Sequence, residues 1–192
     1  MVLPILIVYF LDQGLTLVDI GVITAVSSII SMILEVPSGT VSDMIGHRRS
    51  LIFSCYGQAI SMLLFIVLGG FWGMMIASVV YWSAGAFMSG TNEAIFYELL
   101  ERENRTDQYK KLFGRAYAWA HGGGIVLLAI SSVLYIWNPV VPFIGGILQF
   151  LIAAWAISSI EGFKQTQSVA KDEGYVGFFE SVKMNRKMLK PS

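Results

Sequence analysis

Charge is what this 192-residue sequence holds least of: 14% of its residues are charged, 55% are hydrophobic, and the mean hydropathy is +0.66. Soluble domains carry about 25% charged and about 45–50% apolar residues. So few charges could not screen so much apolar side chain from water, which places the chain in a bilayer. Neither sign of charge is in excess, because 13 basic residues balance 13 acidic ones. No basic field is therefore available for nucleic acid. The single cysteine, Cys55, excludes an intrachain disulfide and a cysteine-built metal cluster. No HExxH, P-loop or dinucleotide fingerprint occurs, and neither a cofactor nor an enzymatic activity is expected. A basic region before the first apolar run is also missing, as is a small-residue cleavage site, so the N-terminus does not read as a secretory signal.

What the sequence does have is long apolar runs. Residues 19–42, 51–70, 72–99, 113–137 and 141–160 are each long enough to cross a bilayer. The first run, 1–11, covers about 16 Å as a helix, roughly half the hydrocarbon thickness, and reads as an incomplete span. Short connectors separate the runs: Asp12-Gln-Gly14, the Gly46-His47-Arg48-Arg49 loop, Gly69-Gly70 and Asn138-Pro139. A polar loop fills 101–111. The expected fold is an all-α, polytopic transmembrane bundle of one partial and five full helices over 1–162, with a charged tail over 163–192.

The basic residues then fall into order. Arg48 and Arg49 lie between the second and third runs. Arg102, Arg105, Lys110, Lys111 and Arg115 lie around the 101–111 loop, and the remaining six, from Lys164 to Lys190, follow the last run. Alternate threading puts all of them on one side of the membrane, which the positive-inside rule makes cytoplasmic. The expected location is therefore the cell membrane, multi-pass, with a cytoplasmic C-terminus. In the tail, 175–190 mixes Val176, Phe179, Val182, Met188 and Leu189 with lysines and arginine, as either a surface-lying amphipathic helix or a solvated linker.

Small residues recur every four positions at Ala86, Gly90 and Ala94, and again at Gly114, Ala118 and Gly122 with Ala116, Ala120 and Gly124. This spacing lets helix backbones approach closely in lipid. Trp72, Trp119, Trp137, Trp155 and Tyr135 lie near span ends and read as interfacial anchors, while Gln58, Tyr81 and Trp82 are candidates to line a cavity.

The second run ends in Glu35-Val-Pro37-Ser-Gly39-Thr-Val-Ser-Asp43-Met-Ile-Gly46-His47-Arg48-Arg49. This resembles the GxxxDRxGRR signature of the major facilitator superfamily, with Met44 where the signature has a basic residue. Ser89-Gly90-Thr91-Asn92-Glu93-Ala94-Ile95-Phe96-Tyr97-Glu98, followed by Tyr109 and Gly114-Arg115, resembles the family's passage from helix 4 to helix 5. The likeness covers almost the whole chain. It implies the first six-helix half of a secondary transporter, a three-plus-three inverted pair that rocks against a second half. It also implies a gating latch formed by Gly39, Asp43, Gly46, His47, Arg48 and Arg49. Gly39 would admit a neighbouring helix, Gly46 a tight turn, and Arg48 or Arg49 an acid such as Glu98. Glu98 and Arg115 are a candidate cytoplasmic ion pair. The sequence lacks both the helix 4 arginine of many proton-coupled members and the helix 5 Gly-Pro of drug–proton antiporters.

Three ionisable residues fall at bilayer depth, where charges are costly unless they face a cavity or a partner. Glu35 lies roughly 12 Å in from Asp43, His121 roughly 9 Å in from Arg115, and Glu93 roughly 8 Å in from Glu98. Each reads in two ways. Glu35 or Glu93 binds a proton or cation and His121 contacts substrate, or all three hydrogen-bond within the bundle and hold helices together. The expected partners are lipid, a small-molecule substrate, and a second six-helix half supplied by a separate chain, a homodimer or further sequence. Two rivals stand beside transport: a non-transporting subunit or inert half, and, on Ser89 and His121, an intramembrane serine protease that lacks the usual glycine two residues before its serine.

Overall fold

The computed structural model describes residues 3–102 and 105–159, with backbone alone at 3, 4, 89, 90, 92–94, 98 and 102. Six α-helices follow one another: α1 (Leu3–Asp12), α2 (Leu17–Ile45), α3 (His47–Val67), α4 (Gly70–Arg102), α5 (Tyr109–Trp137) and α6 (Val141–Ser159). A 3₁₀ turn at Thr106–Gln108 leads into α5, and no strand occurs among the described residues. The expected all-α transmembrane bundle is present. Five helical segments of 19 to 32 residues are long and apolar enough to cross a membrane. The 21 residues of α3 rise about 31 Å, the thickness of a hydrocarbon core. The expected tail at 163–192 lies outside the described residues.

Local chemistry moves several boundaries from where hydropathy put them. The second span starts at Leu17 because Thr16 and Asp19 form a capping box. Asp19 Oδ2 accepts from the Thr16 N–H (2.9 Å) and hydroxyl (2.7 Å), and Thr16 Oγ1 accepts from the Asp19 N–H (3.2 Å). The 46–49 segment is not a loop. Gly46 alone joins α2 to α3, at φ 90°, a conformation open to glycine and strained for other residues, so His47, Arg48 and Arg49 form the first turn of α3. α5 likewise begins at Tyr109, four residues before its apolar run.

Two kinds of packing hold the helices. At one end an aromatic cluster joins α1, α3 and α6. Tyr9, Phe65 and Phe143 meet at centroid distances of 4.6 Å (Tyr9–Phe143) and 5.9 Å (Phe65–Phe143), and the Tyr9 hydroxyl donates to the Phe65 carbonyl at 2.7 Å. Toward the other end, α4 lies between two rows of hydroxyls. From α2, Ser31 donates to the Trp82 carbonyl, Ser38 to that of Ala86, and Ser42 pairs with Thr91 at 2.9 Å. From α3, Ser54 donates to the Ala84 carbonyl (2.6 Å) and Ser61 to that of Ala77 (2.8 Å). Apolar area drives no association in lipid, so such interhelical bonds and close approach supply the cohesion. Gly57 marks the closest approach, where a Cβ would stand 2.8 Å from Ala84 Cβ.

Contacts also fix which helix ends lie together. The start of α3 reaches the end of α6 through Arg48 and Ile157 (3.1 Å), and the end of α4 meets the start of α5 through Phe96 and Tyr109 (5.8 Å). At the opposite end Asp12 accepts from the Tyr135 hydroxyl at 2.5 Å. The first turns of α3 and α5, which carry Arg48, Arg49, Lys110 and Lys111, and the segment with Arg105 therefore share one end of the bundle, as alternate threading requires.

Candidate functional site

The signature segment is built around the α2–α3 corner. Asp43 sits on the last turn of α2 with its carboxylate exposed, and Oδ1 lies 3.3 Å from Nε2 of His47 one turn later. Gly46 supplies the corner, and α3 starts with no side-chain cap among the described residues. A helix start carries partial positive charge, and Asp43 stands beside it. Arg48 meets no acid among the described residues, and the side chain of Glu98 lies outside them. Arg48 Nε donates to the Ile157 carbonyl, and its terminal nitrogen donates to Ser158. The guanidinium thereby ties the start of α3 to the last described turn of α6. Arg49 is exposed and unpaired among the described residues.

Beyond its own turn of α2, no described atom comes within 4 Å of the place where a Cβ on Gly39 would stand, so no described helix fills the room it leaves. The same holds for Gly114 and Gly122 of α5, while Gly124 is half-buried. α4's stripe does pack: Ala86 is buried and its carbonyl takes the Ser38 hydroxyl, while Gly90 and Ala94 lie outside the residues with described side chains. The contrast follows from placement. α4 lies between α2 and α3, whereas α5 touches its neighbours only lightly and buries no residue.

Glu35 has an exposed carboxylate with no hydrogen-bond or ion-pair partner among the described residues; only its carbonyl is used, by Ser38 Oγ at 2.9 Å. Among the described residues it therefore ties α2 to no other helix. His121 is also exposed, and its contacts stay within its own turn. Nδ1 donates to the Tyr117 carbonyl at 2.9 Å and the ring stacks on Tyr117 at 3.9 Å. Glu93 lies on α4 and Glu98 one turn beyond, but their side chains fall outside the described residues, as does that of Ser89. The Glu98–Arg115 pair therefore has only one described side chain, that of Arg115, which is exposed. No direct contact joins Glu35 to His121.

Other expectations are redistributed. Gln58 is buried between α3 and α4, where Nε2 donates to Ser54 Oγ (3.2 Å) and Met88 Sδ (3.5 Å). Tyr81 and Trp82 are half-buried and meet edge to face at 6.0 Å. Tyr135 is tied to Asp12 rather than free, while Trp72, Trp119, Trp137 and Trp155 are exposed, as anchors would be. One feature went unread in the sequence: Tyr109, Phe113, Tyr117 and His121 recur every four residues and stack into a column along α5.

Among proteins already characterised, a family model described as Major Facilitator Superfamily matches residues 1–188. Curated relatives include proteins named "Quinolone resistance protein NorA" from Staphylococcus aureus strains MRSA252 and Mu50 / ATCC 700699. Each is 27% identical over 177 residues, an alignment that covers 87% of this chain and 44% of the relative. The chain thus spans less than half the length of the curated relatives it matches.

Proposed function

The chain belongs to the Major Facilitator Superfamily, and on that premise we propose that it is the first six-helix half of a transporter moving a small solute by alternating access. The observation that supports this reading is an uncovered face. Among the described residues, α5 is long and apolar yet buries nothing, Gly114 and Gly122 meet no neighbour, and the helix carries an imidazole at bilayer depth, while Glu35 projects unpartnered from α2. Lipid is a poor environment for a carboxylate or an imidazole. A second half packed on the stripes, with a water-lined path beside Glu35 and His121, suits both. That half would come from a separate chain, a second copy or further sequence.

In this reading the α2–α3 corner is the latch. Asp43, beside the uncapped start of α3 and within reach of His47, offers a carboxylate to the incoming half. Gly39 leaves room for a helix of that half, and Arg49 and Arg115 face the cytosolic headgroups. Arg48 ties the latch to the end of α6. Glu93 or Glu35 would take up the coupling proton or cation, with His121 as a substrate contact. Quinolones, for which the relatives are named, are the first solutes to screen.

The test is a pair of measurements on the complete transporter. Asp43→Asn is expected to lower solute transport in vesicles more than it lowers the amount of protein in the membrane. Equal loss of both rejects the latch. Glu93→Gln and Glu35→Gln are expected to separate solute flux from the pH gradient, and unaltered coupling in both variants rejects these carboxylates as the ion site. The coverage of only 44% of the relatives' length supports a second reading, a half that moves nothing until its partner is present. Expression with and without a second half distinguishes the two.

A further inference from the structure

We infer that the upper part of the α5 aromatic column, Tyr117 and His121, is a subsite for a neutral planar aromatic solute that carries a hydrogen-bond donor. The inference deepens the transport reading and rests on it.

The geometry of the column sets the chemistry. Tyr109 and Phe113 are nearly parallel at 5.4 Å, Phe113 and Tyr117 follow at 6.3 Å, and Tyr117 and His121 stack at 3.9 Å. At 3.9 Å the Tyr117 and His121 rings cover one another's faces and turn their edges sideways. Ring edges carry the positive part of the aromatic quadrupole and faces the negative part, so a sideways visitor is held best when it offers a π-face. A cation would meet the positive edges and be disfavoured.

Lower on the column, rings of α4 already sit edge to face against it. Phe96 of α4 meets Tyr109 at 5.8 Å and Phe113 at 5.3 Å, both at 69°, and Tyr97 meets Tyr109 at 5.8 Å and 61°. Higher up, no described ring from another helix meets Tyr117 or His121, and Tyr117 remains 58% exposed. The solute would take at Tyr117 and His121 the place that Phe96 and Tyr97 take below.

His121 adds direction. A carbonyl can only accept, so the bond to Tyr117 O places the proton on Nδ1 and leaves Nε2 of the neutral ring as an acceptor. A solute with an N–H or O–H at the rim of its ring system would donate there. The imidazole's depth argues that this surface faces a path rather than lipid.

The probe is indole, with N-methylindole as the analogue without a donor and tetraethylammonium as the cation. Binding to the complete transporter in nanodiscs is measured by equilibrium dialysis against empty discs. Indole is expected to bind about fivefold more tightly than N-methylindole, the effect of one hydrogen bond. Tyr117→Leu is expected to weaken indole about three- to tenfold, and Tyr117→Phe, which keeps the ring edge, to leave it within about twofold. His121→Phe is expected to abolish the preference for indole over N-methylindole. Tetraethylammonium is expected not to displace indole.

Unchanged indole affinity in a folded Tyr117→Leu variant overturns the inference, as does displacement by tetraethylammonium. Should that variant fail to fold, His121→Phe decides alone, and a retained donor preference rejects the site. The transport reading fails separately: a protein that binds indole as described but moves no solute across proteoliposomes keeps the subsite and loses the transport.

Discussion

Two glycines one helix apart should respond to the same substitution with opposite signs. At Gly57 an added Cβ would stand 2.8 Å from Ala84 Cβ, about 1 Å inside ordinary carbon contact. Ala84 is a small residue on a rigid helix and cannot swing aside, so α3 and α4 must part by about that distance. The same residue's carbonyl receives the Ser54 hydroxyl at 2.6 Å, and an opening of about 1 Å carries that bond past useful length. Overpacking costs about 1–3 kcal/mol, and a hydrogen bond between membrane helices contributes about 0.6 kcal/mol. Alanine's better helix propensity returns up to about 1 kcal/mol. Gly57→Ala should therefore destabilise by roughly 0.5–3.5 kcal/mol. Beyond its own turn, Gly39→Ala meets no described atom within 4 Å and should be neutral or stabilise by up to about 1 kcal/mol. Unfolding of this chain in mixed micelles, titrated with SDS and followed by circular dichroism, measures both. A Gly57→Ala variant as stable as wild type refutes the close-approach reasoning. Equal damage at Gly39 refutes its open surroundings.

The hydroxyl rows make a similar contrast. Ser54→Ala loses a bond to α4 and should cost about 0.6 kcal/mol, up to about 1.7, in the same titration. Ser27 is equally buried but has no partner among the described residues, so Ser27→Ala should be neutral or stabilising. Arg48→Ala removes the guanidinium from the Ile157 and Ser158 carbonyls, and Arg48→Lys, which cannot span two carbonyls with one planar fork, should rescue it only in part. Limited proteolysis at 157–159 should accelerate in Arg48→Ala. An unchanged rate rejects the anchoring role.

The bundle was readable because a run of about 20 apolar residues matches the thickness of a bilayer and is hard to place in water. The arrangement of charges was readable too, since Arg48, Arg49, Lys110 and Lys111 gather at one end as alternate threading demands. Boundaries were less so: a T-x-x-D capping box at Thr16 and a one-residue corner at Gly46 depend on local backbone chemistry that hydropathy ignores. What escaped entirely was which face of each helix is covered. In water a buried face is apolar and an exposed one polar, but in lipid both are apolar, and the period that marks a core disappears. Hence the stripes at Ala86 and at Gly114 look alike in sequence, although Ala86 packs and Gly114 stands open. The serines at 50, 54 and 61 and the rings at 109, 113, 117 and 121 did carry a helical period. They are read by asking which polar or aromatic residues share a face, rather than by weighing His121 alone.

The central claim is that the open face of α5 borders water rather than lipid. With Cys55 replaced by alanine, His121→Cys and Ile152→Cys can each be exposed to a membrane-impermeant thiol reagent in the complete transporter. Both positions are exposed on this half, His121 on α5 and Ile152 on α6. Labelling of position 121, with position 152 silent, is the expected result. If position 121 stays as unreactive as position 152, the face lies in lipid and the path beside His121 does not exist.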